Sequence, residues 1–261
     1  GHRFEFRAVG SSQNVSMVNT VLCAITAQAF KQLADAIEAG SSPKTAAQTA
    51  LKNSWKAVFN GNGYDLEEQA ALTAKGCWRL DNGVDAICRM SESKNVRLFQ
   101  EMQVLTEEEC LAREAVMLQH YTGTVEMEAL CLVDMIQQHV IPSLRATIAA
   151  TATNATSPSS TTGVVVTPSV PKLPSHAATA MTSTENATLT HLRDVITLLE
   201  HDVTVIQIDL STLHHASDDR AKALKARVLR LDTMGSIRET VDAAEALVPA
   251  HLWTLATYKE L

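Results

Sequence analysis

LTHLRDVITLLEHDVTVIQIDLSTL, residues 189–213, holds Leu189, Leu192, Ile196, Leu199, Val203, Ile206, Leu210 and Leu213 at alternating steps of three and four. That spacing places all eight on one stripe of a helix and repeats with a heptad period. No Gly or Pro interrupts it. A heptad of this length calls for a partner helix along its whole apolar seam. Leu224, Val228 and Leu231 continue the spacing after a polar break at Ser217-Asp218-Asp219-Arg220. Gly235 is expected to break the helix, with Ile237, Val241, Ala244 and Val248 marking a short final one.

The nearest candidate partner lies upstream. Thr106 followed by Glu109 is a capping box, and Glu107 and Glu108 add favourable charge at a helix N-terminus. Leu111, Ala115, Leu118, Val125, Ala129, Leu132, Ile136 and Val140 then keep mainly three-and-four spacing as far as Pro142. At 1.5 Å per residue this helix is roughly 50 Å long. The two stripes are expected to form a long antiparallel helical hairpin. Met102, Met117, Met127 and Met135 read as core fillers.

Between about Thr147 and Asn186 the chain is Thr, Ser, Ala and Pro with almost no charge, and Pro158, Pro168, Pro171 and Pro174 exclude a continuous helix. This reads as a flexible insertion. Towards the N-terminus, Val18, Val21, Leu22, Ile25, Ala29, Leu33 and Ile37 form another helical stripe. Gly40 and Ser42-Pro43 end that helix and start a second, which is expected to run to about Phe59. Asn60-Gly61-Asn62-Gly63 is a turn, and short helices and loops fill Tyr64 to about Gln103. The fold class is therefore mainly α behind one short N-terminal strand. The expected divisions are residues 1–104, a long helix over 105–146, the insertion over 147–186, and a heptad helix with a short last helix and tail over 187–261.

Composition narrows the function. Of 261 residues, 46% are hydrophobic but only 4% aromatic, an aliphatic composition suited to close helix packing. The net charge of −7, with scattered basic residues, disfavours nucleic acid. No apolar run reaches membrane-span length, so no membrane partner is expected. Five dispersed cysteines without a C-x-x-C pair read as buried thiols in a reducing compartment. Three N-x-S/T matches, at Asn14, Asn154 and Asn186, read as chance in a chain without a visible secretory signal. The adjacent His214-His215 pair diverges by about 100° on a helix, so a solvated face outweighs a metal site there. Trp55, Trp78 and Trp253 are too dispersed for a stacking platform.

One short stretch carries chemistry. In an extended Arg3-Phe4-Glu5-Phe6-Arg7, alternation puts Arg3, Glu5 and Arg7 on one face and the two phenylalanines on the other. The outer guanidiniums are then roughly 13 Å apart, a span that can engage a polyphosphate, a divalent metal and an acidic substrate together. Alone, R-x-E-x-R describes an edge strand with solvated charges. Its company changes that reading: Ala8-Val9-Gly10-Ser11-Ser12, Thr20-Val21-Leu22, Phe59-Asn60-Gly61-Asn62-Gly63-Tyr64, Leu252-Trp253 and Thr257-Tyr258-Lys259-Glu260-Leu261, in that order.

Taken together these segments resemble the C-terminal part of type III glutamine synthetases, the long-subunit class of that family. The resemblance runs over Arg3–Ile37, Phe59–Tyr64, Ser93–Pro142 and Ile237–Leu261, with Thr254 and Ala256 standing where prolines are usual. It implies that the strand is a remnant of a catalytic α+β domain. It also implies ATP-dependent ligation of glutamate and ammonia through a glutamyl phosphate. By the motif match, Glu5 binds one divalent metal, Mg²⁺ or Mn²⁺, Arg3 contacts the ATP phosphates, and Arg7 is catalytic on substrate or developing phosphate. The other metal ligands of the family lie upstream, so the chain alone is expected to be inactive. A homo-oligomeric ring and a cytoplasmic location, or an organellar one in a eukaryotic source, are further implications. The alternative is a non-catalytic helical interaction or oligomerisation protein derived from that family, with the charged strand positions as relics.

Overall fold

A computed structural model describes residues 14–156 and 183–257 of the chain. The strand expected at Arg3–Arg7 lies outside the described residues, as do all four prolines of the insertion. The described residues are mainly helical. Ten α-helices follow in order: α1 Ser16–Glu38, α2 Pro43–Asn53, α3 Leu66–Ala74, α4 Gly83–Ile87, α5 Ser93–Glu101, α6 Glu107–Met135, α7 Ile141–Thr156, α8 Ser183–His214, α9 Asp219–Val228 and α10 Met234–Leu247. Single 3-10 turns lie at Trp55–Ala57 and Ala250–Leu252, and π-helical turns at Ile136–Val140 and Leu229–Thr233. The chain divides into two compact units, Gly1–Leu118 and Gln119–Leu261.

The first unit is built by local signals. Gly40 takes φ +100°, a left-handed conformation that costs glycine little, and closes α1. The Ser42 hydroxyl then accepts from the Thr45 N–H at 3.1 Å with Pro43 in the first turn of α2. Helix α2 stops at Asn53 and the chain finishes in the 3-10 turn at 55–57, short of the expected Phe59. Asp65 and Asn82 cap α3 and α4. Thr106 and Glu109 make both bonds of the capping box: the Thr106 N–H donates to the Glu109 carboxylate at 2.8 Å, and the Glu109 N–H to the Thr106 hydroxyl at 3.2 Å. A small core gathers Ala24, Val96, Phe99, Leu105 and Cys110. No residue of the expected α1 stripe is buried, and Ile25 and Ile37 are exposed; the buried residue of α1 is Ala24.

The second unit holds the larger core. Seven of the eight heptad residues of α8 are buried, Leu199, Ile206 and Leu213 completely, and Ile196 packs at the edge. Their partners are Val125, Ala129, Ile136, Val140 and Leu144 from the preceding helix, and Ala226, Leu229, Ile237 and Ala244 from α9, the second π turn and α10. The Glu126–His214 contact at 3.8 Å and the Arg145–Glu200 bond at 2.9 Å link the α6–α7 helix to α8 in opposite chain order.

Five expectations are corrected. The long helix does not stop at Pro142. Its ladder passes through the π turn, where the Ile141 N–H donates to the Ile136 carbonyl, so Pro142 falls in the first turn of α7, where its missing N–H costs little. Helices then reach into the 147–186 stretch from both sides, to Thr156 and from Ser183. Gly235 does not end the second long helix either; the π turn at 229–233 carries the chain into α10 with Gly235 as its second residue. Leu224, Val228 and Leu231 are exposed, and Ala223, Ala226 and Leu229 face the core instead. The break after His214 resets the helical phase: Asp218 caps α9 anew, its carboxylate accepting from the Ala221 N–H at 2.8 Å. Finally, Met127 and Met135 are exposed: Met127 lies opposite the buried stripe Val125–Ala129–Ile136, and Met135 stands about 100° round the helix from Ile136.

Candidate functional site

The three residues singled out for chemistry, Arg3, Glu5 and Arg7, lie outside the described residues. Among the described residues, no group of three or more His, Cys, Asp and Glu side chains could hold a metal ion. His214 and His215 do not converge: His214 faces Glu126, and the His215 Nδ1 pairs with the Ser211 carbonyl oxygen at 2.7 Å. All five cysteines are free, Cys110 fully buried and Cys23 and Cys131 exposed.

The described residues do form a groove of about 690 Å³ in the second unit. Its helical lining comes from the turns of helix beside the two π turns and from the second π turn itself. Leu132 and Met135 precede the first; Arg230 belongs to the second, and Met234 and Arg238 follow it. Val241, Trp253 and Leu255 complete the apolar lining. A π turn adds a residue to the helical repeat and so re-aims the side chains on either side of it.

Charge on the rim is internally matched. The Arg230 guanidinium donates to Glu128 at 3.1 Å and lies 5.9 Å from the Tyr121 ring centroid. Arg238 stands 3.7 Å from Asp242. Trp253 is only 8% exposed, and its indole N–H is buried without a hydrogen-bond partner among the described residues. His139, on the first π turn, shares a 2.9 Å hydrogen bond with the Thr254 hydroxyl, which ties the tail beside Trp253 to that turn. The groove offers paired ions and apolar area, with no Ser, Cys or His nucleophile in its lining. In the sequence Trp253 stands only in the Leu252-Trp253 segment and as one of three dispersed tryptophans, with no sign of a groove. The available signal was Arg230 and Arg238, eight residues apart and so on one helical face.

Elsewhere, Asp202 on α8 is half-buried, and that burial pushes its carboxyl above the ordinary 3.8, with His201 pulling the other way. Asp218 moves in the opposite direction, held down by hydrogen bonds from the Ala221 N–H and the Ser217 hydroxyl. Neither group lines the groove.

Comparison with known proteins supplies what geometry does not. Residues 44–157, from the start of α2 to the end of α7, match the family model described as the glutamine synthetase C-terminal domain. Over that stretch the chain is similar to the C-terminal domain of glutamine synthetases. A type-3 glutamine synthetase of Dictyostelium discoideum is 26% identical over 271 aligned positions, which cover all of this chain and 35% of that protein. A glutamine synthetase of Bacteroides fragilis (strain YCH46) is 28% identical over 150 positions, covering 54% of this chain and 21% of that protein. The chain thus spans about a third of the length of the first of these relatives. Among the described residues no helix is long and apolar enough to cross a membrane.

Proposed function

We propose that this chain serves in an ATP-dependent glutamine synthetase, supplying a C-terminal helical scaffold and one charged strand. The observation that carries the reading is the alignment of its full length with a type-3 glutamine synthetase. In this reaction an oxygen of the glutamate side-chain carboxylate attacks the terminal phosphorus of ATP, and ADP leaves. Ammonia then attacks the acyl carbon, phosphate leaves, and a proton is lost to give glutamine. Both steps pass through concentrated negative charge, so cationic side chains and a hard divalent ion are the chemistry the site needs.

On this reading Arg3 holds the ATP phosphates and Arg7 the substrate or its developing phosphate. Guanidiniums suit both roles because they stay charged and donate in pairs. Glu5 is the proposed ligand for Mg²⁺ or Mn²⁺, as a hard anionic oxygen donor. The described residues offer no metal site of their own, so the proposal for the metal rests on Glu5. The helical part contributes the long antiparallel hairpin of α6–α7 with α8, a rigid support for a homo-oligomeric ring in the cytoplasm. The alternative, a helical interaction protein without catalysis, draws on the second unit, whose heptad is already satisfied within the chain.

A chimera separates the two. The part of the Dictyostelium protein without a counterpart in this chain is fused ahead of Gly1, and glutamine formation is measured. Glu5→Gln keeps the shape but removes the anionic oxygen, and the expected loss is on the order of 10²-fold or more. Activity in the chimera that survives Glu5→Gln would remove Glu5 from its assigned role.

A further inference from the structure

The two units differ in how well they bury themselves. In the described part of the second, twenty-one apolar residues are buried and eight large ones exposed. In the described part of the first the balance is reversed: eight buried, and fifteen large hydrophobics exposed. A unit with so little interior carries scant stabilisation of its own. Scattered exposed leucines are ordinary, but a run of exposed aromatics marks a surface that another surface covers.

The exposed residues concentrate along α2 and the segment after it. Leu51 is 53% exposed and Trp55 63%; with Gln48 and Lys52 they line one shallow depression of about 440 Å³. Val58 and Phe59 follow, then Tyr64 at 84% and Leu66 at 70%. The Cys77 thiol reaches the Lys56 carbonyl at 3.7 Å, and Lys94 and Arg89 flank the ring of Trp78 at 3.7 and 5.1 Å. Covering aromatics of this size buries roughly 150–250 Å² each, a large share of the roughly 800 Å² per partner of a stable interface.

We infer that this face, Leu51, Trp55, Val58, Phe59, Tyr64 and Leu66, docks the catalytic portion of a type-3 glutamine synthetase. The inference rests on the function proposed above. Its occupant is chosen by place along the chain. About two thirds of the Dictyostelium relative has no counterpart in this chain, and the matched domain is a C-terminal one. The unit lacking a full core is the one that follows that unmatched portion; the unit farther along is satisfied internally. An aromatic face with single lysines at its margin suits a largely apolar protein surface.

The test compares the full 261-residue chain with the same chain fused behind the unmatched portion of the Dictyostelium protein. Amide exchange over residues 43–66 and iodide quenching of Trp55, read in a Trp78→Phe, Trp253→Phe background, report cover. Exchange is expected to slow about tenfold or more in the fusion, with residues 189–213 unchanged. Leu51→Asp with Trp55→Asp should abolish that slowing while Trp55→Phe retains it; both side chains are exposed, so the helicity of the isolated chain should not change. Equal exchange in chain and fusion overturns the inference. So does a chain that self-associates with Trp55 shielded, which makes a second copy the occupant. Glutamine formation, measured alongside, keeps the two readings apart. Cover without glutamine formation removes the function and leaves the docking, whereas glutamine formation without cover does the reverse.

Discussion

Leu199 occupies the middle of the α8 seam with no exposed surface, within the large core cluster of the second unit. Truncating it removes buried methyl groups and leaves a void that rigid helices cannot close. Leu199→Ala is expected to cost about 2–5 kcal/mol in a denaturant titration followed by helicity. The same change at exposed Leu198 should fall within about 0.5 kcal/mol. Three residues along, Asp202 gives a pH signature. Its carboxyl is raised in the folded chain by burial, so the folded state holds the proton more tightly than the unfolded one. The associated stability is fully present below the unfolded value of 3.8 and declines as pH rises through the folded one. Asp202→Asn, which cannot ionise, should match the parent at low pH and become relatively more stable across that window. A pH-independent difference in urea midpoint would show that burial does not govern this carboxyl.

Whole elements are fixed by their ends as much as by their faces. The Thr106–Glu109 capping box satisfies two N-terminal donors where α6 begins. Thr106→Ala should therefore cost about 0.5–2 kcal/mol, whereas Thr106→Ser should cost little. Thermal unfolding of the two variants separates the hydroxyl from mere size. Helix ends were also what sequence spacing read well: Gly40, Ser42-Pro43 and Thr106 are chemical signals confined to a few neighbouring residues. Pro142 and Gly235 misled for a tertiary reason. Each is a helix breaker by local preference, yet packing of α7, α8 and α10 around Ile136, Val140 and Leu229 favours a wider turn over a break. Leu224, Val228 and Leu231 failed similarly: spacing fixes which residues share a face, and contacts decide which face is buried.

Across the whole molecule, stability should be unevenly distributed. The second unit owns the large core; the first has a small one and an exposed aromatic face. Hydrogen exchange on the isolated chain in rising urea is expected to show residues 16–101 opening first, with residues 189–213 holding to the final transition. A single coincident transition for both regions would show that they unfold as one. The candidate site follows the same division. Arg3, Glu5 and Arg7 read from the sequence as a charged strand face through side-chain alternation alone, and they lie outside the described residues. The groove at Trp253 was not legible, since residues from 128 to 256 meet there only after α6, the second π turn with α10, and the tail have packed.

By itself the sequence determined that the chain is helical, where most helices begin, and that residues 189–213 carry a seam needing a partner. These are consequences of backbone geometry and of bonds between residues a few positions apart. Tertiary structure alone decided that the seam is satisfied within the chain, that two helices run on through π turns, and that the apolar stripe of α1 stays largely uncovered. Burial is a relation between distant segments, and a periodic stripe specifies only that it can be buried, not what buries it.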